Sequence, residues 1–295
     1  MIIINCIQGS EEWHLARAGV ITASMFGVAT EMLSTLTDQQ RTYVEALLAG
    51  ADKEDAKAAA GYKAAPTAGA ITDALAGKPT RIVSAASIAY ADEIAIERLS
   101  GEPYGDTFQT FAMKRGSEQE IWARARYEEL YGVEVTESGI CLTDDRLFGY
   151  STDGLVDEHG LIEVKTPLSL AKIRSVVEND DTSEYEHQVQ GGLWLTGRLY
   201  CDLIMYVPSL EKIGNDVYVK RIHRDDNFIE KLELDLMAFA GRVVEAEKFW
   251  RKQFRRDGLD AVALAGRSAP AAVSTPARAA SPMSRIDAAL GAIAA

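Results

Sequence analysis

Cysteine is scarce in this chain. Cys6, Cys141 and Cys201 are few, odd in number and far apart. They cannot supply a four-thiolate iron–sulfur cluster, and reduced thiols in a cytosolic protein are expected. No apolar run is long enough to cross a membrane, so no membrane association is expected. The opening MIIINCI lacks the basic stretch and the length of a secretory leader, which again points to the cytoplasm. Positive charge is also in deficit, with 31 Lys and Arg against 44 Asp and Glu, a net charge of −13. This argues against a protein coated with nucleic acid. It leaves room for an enzyme acting on nucleic acid, because a local basic channel can work inside an acidic molecule and metal-binding carboxylates themselves add negative charge. What is present is ordinary for a globular chain: 295 residues, 47% hydrophobic and 25% charged. That length can bury a substantial core, in one large domain or a domain with an appendage.

The stretch FGYSTDGLVDEHGLIEVKTP, Phe148 to Pro167, carries the clearest chemistry. It reads as two β-strands joined by a tight turn at Glu158-His159-Gly160, with Asp153 near the end of the first strand. Side chains alternate along a strand, so Glu163 and Lys165 share one face. Leu161, Ile162 and Val164 are apolar, so this strand runs through a core. A buried carboxylate and ammonium are costly unless something neutralises them. A divalent metal held by Asp153 and Glu163 would do so, and oxygen ligands suit Mg²⁺, with Mn²⁺ able to substitute. Lys165 beside it could hold, or help deprotonate, an attacking water. The plainer reading is a pair of surface charges at a hairpin, with Asp153-Gly154 as a turn. Asp followed by Glu-x-Lys on the next strand resembles the active site of the PD-(D/E)xK nuclease superfamily.

Further regions bear on function. In QGSEEWHLARAGVITASMF, residues 8–26, a short helix Glu11 to Ala18 with Trp13 on its buried side stops at Gly19, and Ser24 opens a second helix. A hydroxyl and free N–H groups there form a phosphate site that Arg17 could complete; an ordinary N-cap and a surface arginine explain the same residues. Residues 36–78 are alanine-rich and read as three short helices, near Asp38–Ala49, Lys53–Ala60 and Thr67–Ala76. They resemble the helix-turn-helix domain of phage terminase small subunits, but the segment holds at least as many acids as bases and lacks a basic footprint. Ile82 to Leu99 and Met113 to Tyr131 are helices by periodicity. Within the second, Ser117-x-x-Glu120 fits a capping box, whereas the functional reading makes Glu120 a third acidic ligand, with Glu118 as its neighbouring alternative. Val133–Leu142 reads as one strand. Lys172 and Arg174 are candidates for a phosphate backbone, Gln188 and Tyr185 for the site, and His187 for nothing specific. After Gly258 the chain turns into an alanine- and proline-rich tail whose last dozen residues, from Ser284, could form a short docking helix.

The blocks QGSEEWHLARAGVITAS, RGSEQEIWARARYEELYGVEVTESG, STDGLVDEHGLIEVKTP and HQVQGGLWLTG, in this order, resemble the phage λ-type exonuclease, or YqaJ-like viral recombinase, family. The resemblance implies an α/β fold: a restriction-endonuclease-like core with a mixed central sheet flanked by helices, over 1–35 and 79–258. The small helical insertion at 36–78 and a flexible tail at 259–295 would be additions to it. It also implies a Mg²⁺-dependent 5′→3′ exonuclease on linear double-stranded DNA in phage-type recombination, in the host cytoplasm if phage-encoded. Asp153 and Glu163 become metal ligands with the Val164 carbonyl and Glu120. Lys165 becomes the catalytic lysine, Gln188 a contact of the site, and Arg17 and Ser24 the grip on the 5′-phosphate. Family members form trimeric rings and pair with a single-strand annealing protein. The insertion and the tail depart from the family pattern and bear on the ring. A structure- or site-specific endonuclease, or a binding module with a vestigial site, are the other readings.

Overall fold

In the computed structural model, which describes residues 1–105 and 111–253, two β-sheets are tied together by one long bent hairpin. Val135–Thr136 and Ile140–Leu142 form its first arm, Phe148–Ser151 and Gly154–Val156 its second. The pairs Val135↔Val156, Thr136↔Leu155, Ile140↔Ser151, Cys141↔Tyr150 and Leu142↔Gly149 keep a single register. Between them the ladder opens at 137–139 and 152–153, and the two halves enter different sheets. The unbroken strand expected over Val133–Leu142 and the one running into Asp153 are both interrupted here. A Cβ on Gly139 would lie 1.9 Å from the Ile4 carbonyl oxygen, so only glycine lets the first arm pass under the N-terminal strand. On the second arm the buried Thr152 hydroxyl stands in for the missing ladder. It lies 2.9 Å from the Gly154 carbonyl and 3.2 Å from that of Ile162, and it accepts the Gly154 N–H at 3.2 Å.

The four-stranded sheet runs in the order Ile2–Ile4, Ile140–Leu142, Phe148–Ser151, Ile21–Thr22. The five-stranded sheet runs Val217–His223, Tyr200–Tyr206, Gly160–Lys165, Gly154–Val156, Val135–Thr136. Gly160–Lys165 is antiparallel to Gly154–Val156 and parallel to Tyr200–Tyr206, which makes the sheet mixed. Leu161, Leu203 and Met205 of one face join the main core with residues from the helices Ala85–Ser100, Glu186–Thr196 and Asp226–Gln253. Ile162 and Ile204 of the other face meet Tyr127 of the helix Phe111–Tyr131. A strand buried on both sides reads as a continuous apolar run, which is why Glu163 stands out. Among the described residues, no helix is long and apolar enough to cross a membrane.

The helix foreseen from Ile82 starts later. Ser84 is its N-cap, accepting the Ser87 N–H at 3.0 Å, while Ile82 sits half-exposed in a strand, Arg81–Val83, paired with Met32–Ser34. Between those two short strands lie the helices Asp38–Leu48, Lys53–Ala59 and Gly69–Leu75, within a residue or two of the expected bounds. They close over a small core of their own containing Tyr43, Val44, Ala56 and Ile71. The tail from 259, including the segment from Ser284, lies outside the described residues.

Candidate active site

The site forms where the hairpin bends. Released from the ladder, Asp153 turns its carboxylate Oδ2 to the Val164 N–H, which donates to it at 2.7 Å. A side chain thus replaces a strand partner, and this seats an acid, 9% exposed, beside the central strand. Glu163 is more deeply buried, at 3% exposed. Its Oε1 accepts from Lys165 Nζ at 2.8 Å and from Gln188 Nε2 at 2.5 Å, and its Oε2 accepts from the Tyr150 hydroxyl at 2.9 Å. Lys165 Nζ also donates to Gln188 Oε1 at 2.9 Å and lies 5.5 Å from the centre of the Tyr185 ring. Glu163 and Lys165 therefore share a face, as strand alternation requires.

Gln188 reaches this point because its helix lies very close to the sheet junction. A Cβ on Gly191 would fall 2.5 Å from the Phe26 ring, and one on Gly192 would fall 2.7 Å from the Tyr150 ring. The Gly191-Gly192 pair is the price of that approach, since glycine weakens a helix by about 1 kcal/mol per residue.

Burial dominates the electrostatics. It pushes the Asp153 carboxyl well above the usual carboxylate range, and the charges of Glu163 and Glu120 push it further against the pull of Lys165 and the Val164 N–H. For Lys165, burial pulls the other way, but Glu163 and Asp153 more than offset it and the amine is held as ammonium. Burial also raises Glu120, opposed by Arg124 and reinforced by Glu163.

Glu120 is not the end of a capping box. The helix already begins at Phe111, so Ser117 lies within it and is not an N-cap. Instead Glu120 accepts from Arg124 Nη2 at 3.3 Å and lines the cavity, while Glu118 is exposed and outside it. Ser24 is likewise not an N-cap: it is the second residue of a 3-10 turn, Ala23–Met25, whose cap position is Thr22. The Thr22 and Ser24 hydroxyl oxygens are 3.4 Å apart, and Arg17 donates to the Thr22 hydroxyl at 3.3 Å. The Arg17 guanidinium stacks over Trp13 at 4.1 Å, and the Trp13 indole N–H is fixed by Ser151 at 2.8 Å. Burial lowers the Arg17 pKa, with Tyr90 and Glu97 acting against it. A guanidinium remains charged all the same.

Arg17, Ser24, Glu120, Asp153, Glu163, Val164, Lys165 and Gln188 all line one cavity of about 290 Å³. Lys172 and Arg174 do not. They are on the helix Leu170–Asn179 and pair with Glu184 and Glu178. His187 packs on Phe228 outside the cavity. Sequence reasoning missed Tyr150, Thr22, Ser151 and Thr166, which also line it. Alternation along Phe148–Ser151 was the available signal for Tyr150, because a strand that points Phe148 into the core points Tyr150 there too.

The donor set suits a hard cation. Asp153 and Glu163 are oxygen donors, the Glu163 charge opposes ionisation of Asp153, and a cation held by both would relieve that repulsion. Among the described residues no three Asp, Glu, His or Cys side chains form a ready cage. Mg²⁺ is commonly bound by one or two carboxylates, keeping waters and taking substrate phosphate oxygens as further ligands.

A mixed α/β sheet with buried acids and a lysine at the end of its central strand defines a nuclease-type fold, and the comparisons agree. Residues 12–199 match the YqaJ-like viral recombinase domain, and the chain belongs to that family. An alkaline exonuclease (LHK-Exo) from Laribacter hongkongensis is 28% identical over 83% of this chain and 98% of that one, with a TM-score of 0.58. The same exonuclease in complex with dAMP is 27% identical over 83% and 97%, also at 0.58. No curated protein matches the chain. Family and fold together make it a nuclease, a hydrolytic enzyme of the exonuclease type.

Proposed function

We propose that this chain is a Mg²⁺-dependent 5′→3′ exonuclease that degrades one strand of linear double-stranded DNA in phage-type recombination. The observation that carries the reading is the meeting of two unlike subsites in one cavity: Asp153, Glu163, Lys165 and Gln188 on one wall, Arg17 and Ser24 on another. Arg17 is a largely buried cation held by Thr22 and Trp13, with no carboxylate in ion-pair contact among the described residues. Such a group favours an anion, and a terminal 5′-phosphate is the anion a strand end offers. Engaging it would set both the polarity and the requirement for an end.

Asp153, Glu163 and the Val164 carbonyl would hold the metal, with Glu120 at its margin. When bound, the metal supplies Lewis acidity and lowers the pKa of a water. Lys165, held as ammonium, orients the attacking water and stabilises charge developing on the phosphate, rather than serving as a base. Gln188 keeps the lysine and Glu163 in place. Water adds to phosphorus, the P–O3′ bond breaks, and the proton lost by the water ends on the departing O3′. The released unit is a 5′-mononucleotide, and the shortened strand again ends in a 5′-phosphate for Arg17. A trimeric ring and an annealing partner are the assembly this reading would use.

Digestion of duplexes with defined ends tests it. Linear 5′-phosphorylated DNA should be degraded only with Mg²⁺ or Mn²⁺, releasing mononucleotides, and closed circular DNA should survive. Cutting of closed circles would replace the exonuclease reading with an endonuclease.

A further inference from the structure

Glu163 is held from both sheets. Lys165 and Gln188 both donate to Oε1. Two donors on one oxygen restrain rotation about the Cγ–Cδ bond from one side only, and a donor on the other oxygen restrains it from the second. Among the described residues the second oxygen has one protein donor, the Tyr150 hydroxyl at 2.9 Å. Tyr150 belongs to Phe148–Ser151 in the four-stranded sheet, whereas Glu163 belongs to the five-stranded sheet, so this bond spans the junction. The tyrosine cannot easily swing away: it is 2% exposed, its backbone pairs with Cys141, and its ring packs where a Gly192 Cβ would be 2.7 Å off.

We propose that Tyr150 is a positioning residue that fixes the carboxylate plane of Glu163 for the cleavage step. This rests on the metal-dependent nuclease reading above. Partners of this kind, which orient a ligand without replacing it, typically change metal affinity or activity by about 10- to 100-fold.

Tyr150→Phe removes the hydroxyl and keeps the ring. Three quantities distinguish a positioning role from a merely structural one: calorimetric Mn²⁺ affinity without DNA, kcat, and KM for 5′-phosphorylated ends. Mn²⁺ affinity and kcat should each fall by about tenfold. KM should stay near wild type, because Arg17 and Ser24 are untouched. In a Glu163→Gln background the same substitution should cost nothing further, since the group it positions is already altered. Wild-type Mn²⁺ affinity and kcat in Tyr150→Phe, or a full independent loss in the double variant, would overturn the role while leaving the nuclease reading intact. If the wild-type protein neither binds Mn²⁺ nor cleaves in a metal-dependent way, the nuclease reading falls and the role of Tyr150 with it.

Discussion

The bend of the hairpin and the helices of residues 38–75 handle charge in opposite ways. In the helical segment, ionic side chains sit at the surface in local pairs such as Arg41–Asp38 and Lys57–Glu54, three residues apart. Only apolar and aromatic groups fill its small core. At the bend, Asp153 and Glu163 are buried, and besides Lys165 two positions away their partners come from residues 11 to 25 positions away: Val164, Tyr150 and Gln188. Exposed pairs of the first kind are worth about 0–1 kcal/mol, and their loss is cheap. Burying like charges together is unfavourable, and the fold carries that cost at the bend.

The largest expected effect comes from striking the buried cluster. Glu163→Gln should lower metal-dependent cleavage by about a thousandfold, the scale of losing several kcal/mol of charge stabilisation. The melting temperature should barely change, because shape and most hydrogen bonds persist. A variant that still cuts well would remove the cluster's special status. Arg17→Ala comes next. Losing charged hydrogen bonds worth about 1.5–3 kcal/mol should slow digestion of 5′-phosphorylated ends by about ten- to a hundredfold. Ends with a 5′-hydroxyl should be slowed far less; equal slowing would argue against phosphate recognition. In the helical segment, Ile71→Ala should cost about 2–5 kcal/mol of local stability. Hydrogen exchange should quicken across Asp38–Leu48, Lys53–Ala59 and Gly69–Leu75 but not in Gly160–Lys165. Equal quickening in both would mean the two regions unfold as one. Arg41→Ala, at an exposed pair, should change stability by no more than about 0.5 kcal/mol.

The same contrast explains what could be read from sequence. Local rules suffice for the helical segment: the Leu36-Thr37-x-x-Gln40 motif is a capping box, with the Thr37 hydroxyl accepting the Gln40 N–H at 3.2 Å, and Asp52 caps the next helix. Alternation alone put Glu163 and Lys165 on one face. Periodicity could not show that Phe148–Val156 changes sheet at Asp153, because both halves keep the strand pattern and one register. Nor could a four-residue motif at Ser117 reveal that its helix starts six residues earlier. The Tyr150–Glu163 bond depends on how two sheets meet, and no spacing along the chain encodes that.

Anomalous diffraction from crystals soaked in Mn²⁺ would locate the cation site itself. A peak bonded to carboxylate oxygens of both Asp153 and Glu163, beside the Lys165 amine, is expected. A sole peak elsewhere, or none at full Mn²⁺ saturation of activity, would contradict it.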